Sequence, residues 1–148
     1  FLRMLAENAL SVPPPLGKIR DFVTDADPAH PGTIDLKKFG ARPFIDAARV
    51  FALAHGVAAT GTVQRLRLVA GSVGASGAPS EEVAALADGF HFIQLLRLRH
   101  QHAEQLHGRA GNNLIRPDEL NEVDRLILKE AFRQARKLQQ RLRLDYQL

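Results

Sequence analysis

The chain has 148 residues, of which 45% are hydrophobic and 24% charged, values typical of one globular domain with a core of its own. It contains no cysteine, which excludes disulfide bonds and thiolate metal sites, and no apolar run is long enough to span a bilayer. The net charge of +4 arises after residue 96, because residues 1–96 carry nine basic and nine acidic groups and residues 97–148 carry eleven and seven.

The first forty residues are predicted to form a short helix followed by an extended arm. Apolar residues at positions 1, 2, 4, 5 and 9 have helical spacing, and the three prolines at 13–15 end the helix. Residues 18–24 and 33–36 have extended patterns with turn residues between them, which predicts a small β-hairpin or an irregular arm. The chain begins at Phe1 without an initiator methionine or a signal peptide. We therefore expect residues 1–40 to connect to an upstream domain of a cytoplasmic protein.

Residues 41–148 are predicted to form an up-and-down four-helix bundle, so that the fold class is all-α. Pro43 suits a first helical turn, Gly56 and Gly108 suit helix ends, and Asn121 suits an N-cap with Asp124 three residues later. Apolar residues recur at spacings of three and four in each helix, as in antiparallel bundles. The predicted helices span about 43–55, 60–71, 80–107 and 121–145.

The last helix carries a run of basic residues with no acid among them. One interpretation is a surface for phosphate groups or an acidic partner. The other is a solvated helix face whose charges complement the C-terminal end of the helix dipole. The run consists of Arg133, Arg136, Lys137, Arg141 and Arg143.

Three motifs resemble known sites but fit ordinary structure better. The two acids in residues 25–27 resemble paired magnesium ligands, yet they stand beside a proline in a turn. Three glycines in residues 71–77 resemble a phosphate loop, yet no buried strand precedes them and no Lys-Ser/Thr pair follows. His100, Glu104 and His107 share one helix face, as metal ligands can, but such triplets are common on solvated faces. No metal site is therefore predicted.

A ribonuclease-like pair is a further alternative. Arg97 and His102 match the Arg-x4-His pattern of a class of ribonucleases that are also helical bundles. In that case the histidine is the general acid/base and the arginine stabilises the phosphorane. The pattern has only two defined residues, in a chain rich in arginine.

The most informative segment is a polar corner between the third bundle helix and the loop after it. Arg97 lies on or beside the apolar stripe, so it is expected to be partly buried and to need hydrogen-bond partners. Ligand binding and a purely structural network at the helix end are equally compatible with this pattern. The corner consists of Arg97, Arg99, His100, Gln101, Asn112 and Asn113.

Several ordered motifs together resemble one family over nearly the whole chain. They are Gly32-Thr-Ile-Asp-Leu-Lys37, Gly40, Pro43, Ala48-Arg49, Arg65-Leu66, Leu96-Arg-Leu-Arg-His-Gln101, Asn113, Pro117-Asp-Glu-Leu120, Leu128-Lys-Glu-Ala-Phe132 and Leu138-Gln139. The chain resembles the C-terminal, substrate-binding domain of bacterial nucleotidyltransferases that also carry CBS domains. The resemblance implies a helical domain akin to those of protein-PII uridylyltransferase and glutamine synthetase adenylyltransferase.

The resemblance also implies a function in signal transduction. The domain would position nucleotide or acceptor for a catalytic domain upstream, so this chain would hold no catalytic residue and no cofactor, while Mg²⁺ and a nucleoside triphosphate would serve the full-length enzyme. The expected partners are that catalytic domain and a CBS module in cis, with a protein acceptor and a homodimer left open and neither a membrane nor a specific nucleic acid. The predicted substrate-binding residues are Arg97, Arg99, His100, Gln101, Asn113, Lys37 and Arg49, with the arginines holding phosphate or an acidic acceptor.

Besides the ribonuclease, one further alternative stays open. The chain would then be a protein-interaction bundle whose basic last helix docks an acidic partner or a regulatory module.

Overall fold

The computed structural model describes residues 1–17, 21–72 and 80–148. Five α-helices and two short strands lie within these residues. The helices are α1 (Leu2–Ala9), α2 (Arg42–Ala54), α3 (Thr62–Ser72), α4 (Ser80–Leu106) and α5 (Glu122–Tyr146), and the strands are β1 (Ile34–Asp35) and β2 (Leu114–Ile115). A π-helical segment, Leu36–Ala41, leads into α2, and a 3-10 turn, Pro117–Glu119, precedes α5.

Helices α2 to α5 form the predicted four-helix bundle. Helix α2 packs against α3 and α5, and α4 packs against the same two helices, so the four close into a ring. Helices α4 and α5 are antiparallel, since Gly89 lies against Ala131 while Arg99 reaches Asp124 near the start of α5. The fold class predicted from the sequence is confirmed.

The core lies where the apolar stripes of these helices meet. Phe44, Ile93 and Phe132 are completely buried, and the rings of Phe44 and Phe90 lie 5.7 Å apart. On α5 the apolar residues spaced three and four apart are all buried, namely Leu128, Ala131, Ala135, Leu138 and Leu142. A side chain added at Gly89 would lie 3.2 Å from the Cα of Ala131, so the small residue lets α4 and α5 approach closely.

Helix α1 and the arm pack along α5 and share its core. Gln139 is buried on α5 and donates to the carbonyl oxygens of Ala9 at 3.3 Å and Val12 at 2.8 Å. The ring of Phe22 meets the ring of Phe132 edge to face, with centroids 6.0 Å apart. Residues of the first forty therefore contribute to the same hydrophobic core as the bundle.

The strand in the arm has a partner that the sequence did not indicate. Strand β1 pairs antiparallel with β2, with Ile34 opposite Ile115 and Asp35 opposite Leu114. The pairing of residues 18–24 with 33–36, one of the two predicted forms of the arm, is absent among the described residues. Instead the backbone N–H of Val23 donates to the carbonyl oxygen of Pro15 at 2.8 Å, so the proline run takes the place of a second strand. The irregular form of the arm is the one found, with residues 18–20 outside the description.

The π-helical segment connects β1 to the bundle and was not predicted. The side chain of Asp35 accepts hydrogen bonds from the backbone N–H groups of Lys37 and Lys38, both at 3.0 Å. A side chain added at Gly40 would lie 3.0 Å from a methyl group of Ile93 on α4. The segment therefore presses directly against α4.

The helix ends agree with the sequence signals. Gly56 and Gly108 have φ angles of +66° and +69°, the left-handed conformation that glycine adopts readily after a helix. The Asn121 side chain accepts from the backbone N–H of Asp124 at 2.7 Å and caps α5. The glycine motif of residues 71–77 lies, apart from residues 71 and 72, outside the described residues. No described helix combines the length and apolar character needed to cross a membrane.

Candidate functional site

The polar corner predicted from the sequence is an interconnected hydrogen-bond network. Arg97 of α4 donates from Nε to Oδ1 of Asn113 at 2.9 Å and from Nη1 to Oε1 of Gln94 at 2.7 Å. Gln101, one turn further along α4, donates from Nε2 to the same Asn113 oxygen at 3.3 Å. Arg97, Gln101 and Asn113 are all partly buried, so this oxygen satisfies two donors that water reaches only in part.

The neighbouring asparagine fixes the loop at a second point. Oδ1 of Asn112 accepts from Nε2 of His100 at 2.8 Å and from the backbone N–H of Leu114 at 3.0 Å. The backbone carbonyl of Asn113 accepts from the N–H of Leu36 at 2.9 Å. The corner thus ties α4 to strand β2 and to the π-helical segment.

Arg99 faces the start of α5 and not the asparagines. Its Nη2 donates to Oδ2 of Asp124 at 3.2 Å. The arginine side chain is 54% exposed and the aspartate 15%. Since Asn121 also donates to Oδ2 of Asp124, the carboxylate links Arg99 to the N-cap of α5.

The two other predicted binding residues lie on other elements. Lys37 is exposed on the π-helical segment, directly after Leu36, which bonds to Asn113. Arg49 is exposed on α2, where its charged group lies 3.7 Å from Asp46 of the same helix. The structure therefore joins Arg97, Gln101 and Asn113 in one network, with His100, Arg99 and Lys37 flanking it, while Arg49 belongs to an ion pair within α2.

A cleft of about 470 Å³ lies beside strand β2, whose Leu114 lines it. Its walls are mainly apolar, formed by residues 13–16, Val23, Ile34, Phe39 and Leu114. Its volume falls in the range of small-molecule sites, about 300–1,000 Å³. Sequence reasoning missed this cleft because its lining comes from five separate segments of the chain. The one signal in the sequence is the stiff proline run, which also marks the end of α1.

Four charged residues line the cleft, namely Asp27, Asp35, Lys38 and Arg136. The two acids accept more hydrogen bonds from the protein than the two cations donate to it. Asp27 accepts from the backbone N–H of Ala29 at 3.0 Å and from Nδ1 of His30 at 2.8 Å. The hydrogen bond from His30 and that from Ala29 lower the pKa of Asp27 below its ordinary value. Asp35 uses one oxygen to cap the π-helical segment.

The two cations of the cleft form fewer hydrogen bonds with the protein than its two acids. Lys38 lies over the ring of Phe39, 5.2 Å from its centroid, and Arg136 donates to the carbonyl oxygen of Leu16 at 3.3 Å. Neither has a carboxylate within 4.0 Å among the described residues. The cleft therefore combines apolar walls with two cations that have no acidic partner.

The family model described as "Putative nucleotidyltransferase substrate binding domain" matches residues 1–146. The chain belongs to this family. No curated protein and no solved structure is similar enough to the chain to count as a match. Membership in a family of nucleotidyltransferase domains implies a catalytic domain in the same protein.

The residues of the possible metal site and of the ribonuclease-like pair have other hydrogen-bond partners in this substrate-binding domain. Glu104 binds Arg109 through two hydrogen bonds of 2.7 and 2.9 Å, which lower the pKa of the carboxyl group. His107 donates to the carbonyl oxygen of Ala103, and His100 is held by Asn112. Within the part of the chain that the structure describes, no group of three or more His, Cys, Asp or Glu residues is arranged to hold a metal ion. Arg97 is directed at Asn113 and Gln94, and no hydrogen bond joins it to the exposed His102.

The basic run on α5 of the substrate-binding domain is partly neutralised within its own helix. Arg133 lies 3.5 Å from Glu130, and Arg141 lies 3.0 Å from Asp145. Lys137 and Arg143 are exposed, with no ion pair among the described residues. The run thus resembles a solvated helix face more than a continuous patch, and Arg136 is set apart because it faces the cleft.

Proposed function

We propose that this domain binds a substrate of a Mg²⁺-dependent nucleotidyltransferase and holds it for the catalytic domain of the same protein. The family match over residues 1–146 is the observation that carries the proposal. Magnesium and the nucleoside triphosphate would be used by the catalytic domain, and a CBS module in the same protein would regulate the transfer. The domain would then contribute binding and orientation, which raise the rate by holding reactants together.

The polar corner supports such a role through its position. Its bonds to Asn112 and Asn113 fix strand β2, and Leu114 of that strand forms a wall of the cleft. Arg97, Gln101 and Asn113 act in this proposal as positioning residues. The groups that a substrate can reach beside them are the exposed side chains of Arg99 and Lys37, with His100 partly exposed.

Replacing Arg99 in the full-length protein tests the proposal. Arg99→Ala removes an exposed cation, so it should lower nucleotidyl transfer about tenfold or more if Arg99 holds a charged substrate group. Transfer is measured from α-phosphate-labelled nucleoside triphosphates to the components of a cell extract. Arg67→Ala, which removes an exposed arginine from α3, is the control and should leave transfer unchanged.

Melting temperatures separate binding from folding. Arg99→Ala should melt within a few degrees of the unchanged protein, because Arg99 is 54% exposed and an ion pair at the surface contributes only about 0–1 kcal/mol. A large drop in melting temperature together with lost transfer would show that Arg99 is structural. Full transfer by Arg99→Ala would contradict its role in substrate binding.

A further inference from the structure

The cleft between the arm and strand β2 has the features of a ligand site, and no residue predicted to bind substrate lines it. We propose that this cleft binds an organic phosphate, with the phosphate between Lys38 and Arg136 and the body of the molecule on the apolar walls. The inference rests on the proposed substrate-binding function and names a binding site apart from Arg99 and Lys37, together with the class of ligand that it takes. A free nucleotide and a phosphorylated acceptor share this chemistry.

The cations of the cleft favour an anion because they keep more free hydrogen-bonding groups than its acids do. Both oxygens of Asp27 accept hydrogen bonds from Ala29 and His30. One oxygen of Asp35 accepts two backbone N–H groups, which leaves its other oxygen for a hydroxyl group. Lys38 keeps all three ammonium donors, because no hydrogen bond from its Nζ is present among the described residues.

Arg136 is the second donor, and its position is fixed from one side. The hydrogen bond from Nη2 to the carbonyl of Leu16 uses one of the five N–H groups of the guanidinium. The remaining N–H groups can bind phosphate oxygens in pairs, a geometry that arginine supports better than lysine. The two cations come from α5 and from the π-helical segment, so a ligand between them would bridge the bundle and the arm.

The walls of the cleft are suited to a flat or apolar body. Prolines 13–15 cannot donate from their backbone nitrogens, so this wall offers a ligand mostly carbon surface. Phe39 adds an aromatic side chain to the lining, and Val23, which also lines the cleft, is 39% exposed. A bare phosphate would leave this apolar surface uncovered, whereas an organic phosphate buries it.

Calorimetric titration of this chain tests the inference with six probes. They are ATP, UTP, phenyl phosphate, adenosine, uridine and inorganic pyrophosphate. We expect at least one organic phosphate to bind about tenfold more tightly than its nucleoside and than pyrophosphate, since it uses both the cations and the walls. Binding of ATP or UTP indicates a nucleotide site, and binding of phenyl phosphate alone indicates a phosphorylated acceptor; either result supports the proposal.

Two double variants with the same change of net charge serve as test and control. Lys38→Gln with Arg136→Gln should weaken binding about tenfold or more, because both phosphate donors are lost. Lys137→Gln with Arg143→Gln removes two exposed cations of α5 that do not line the cleft, and should leave the Kd within about twofold. Val23→Asp, which places a negative charge at the exposed rim, should also abolish binding without disturbing the core.

Three results would overturn the inference. They are binding of none of the three organic phosphates, equal weakening by the two double variants, and pyrophosphate binding as tight as that of any organic phosphate. None of them contradicts the proposed function, which the transfer assay on Arg99→Ala tests independently.

Discussion

Arg97 and Asn113, sixteen positions apart in the chain, are joined by a hydrogen bond of 2.9 Å from the guanidinium Nε to the amide Oδ1. The same oxygen accepts from Gln101, and the backbone carbonyl of Asn113 accepts from Leu36. One asparagine therefore holds α4, the loop after it and the π-helical segment together.

Asn113→Ala should destabilise the domain by about 1–3 kcal/mol, because it leaves the donors of Arg97 and Gln101 partly buried without an acceptor. Asn113→Asp keeps the acceptor and adds a charge opposite Arg97, so it should retain most of the stability. Denaturant unfolding of both variants measures the difference.

A double-mutant cycle with Arg97→Ala identifies the partner. The combined variant Arg97→Ala with Asn113→Ala should lose less stability than the sum of the single changes, since each already removes the same bond. Additive losses would show that the hydrogen bond contributes nothing to the stability of the fold.

Gly89 should be intolerant of a large side chain. Its missing Cβ would lie 3.2 Å from the Cα of Ala131, and a backbone atom cannot move aside as a flexible side chain can. Gly89→Leu should therefore push α4 away from α5 and cost about 1–3 kcal/mol.

The matched control is Gly71→Leu in α3, where an added Cβ meets no atom within 4 Å. There the better helix propensity of leucine should make the change neutral or stabilising by up to about 1 kcal/mol. Both variants are compared by their denaturation midpoints. Equal midpoints would mean that α4 and α5 are not limited by the contact at Gly89.

The helices could be predicted because their signals are local. Apolar spacing on α5 and the caps at Gly56, Gly108 and Asn121 each act within a few residues, and all appear in the structure. The pairing of Ile34 with Ile115 has no such signal, since two-residue strands carry almost no pattern and their partners lie 81 positions apart. The π-helical segment escaped prediction for a similar reason: its fit depends on contact with Ile93.

The candidate site was only partly predictable. The composition of the polar corner indicated buried hydrogen bonding, and the structure joins Arg97, Gln101 and Asn113 as that reasoning requires. Which partner each side chain selects depends on the tertiary fold, so Arg99 turning to Asp124 could not be foreseen. The cleft could not be foreseen either, because Lys38 and Arg136 line the same cleft only through the packing of the arm on α5.

Lys129 should control the pKa of Asp21. The hydrogen bond from Lys129 and then its charge lower the pKa of this carboxyl below its ordinary value of 3.8. Because the folded pKa is the lower one, the contribution of this pair to stability is present above pH 3.8 and is lost as the pH falls through the lowered value. Lys129→Met should return the pKa towards 3.8, as measured by carboxyl-carbon NMR titration.

Lys137→Met, on the same helix and without an ion pair among the described residues, is the control and should leave the titration of Asp21 unchanged. Should the pKa of Asp21 stay low in Lys129→Met, the more distant charges of Arg125 and Arg133 would be its cause.

Gln139 should anchor helix α1 to the bundle. It is 4% exposed, and its amide donates to the carbonyl oxygens of Ala9 and Val12, which end α1 and begin the arm. Gln139→Leu keeps the side-chain volume but leaves both carbonyls without this donor, at a cost of about 1–3 kcal/mol. Hydrogen exchange should then accelerate in the amides of α1 more than in those of α4, because the lost bonds are local to α1.

Gln140→Leu makes the same change at the exposed neighbouring position and should leave exchange in α1 as it was. If α1 exchanged at the same rate in both variants, apolar contacts of Ala6 and Ala9 alone would hold it in place.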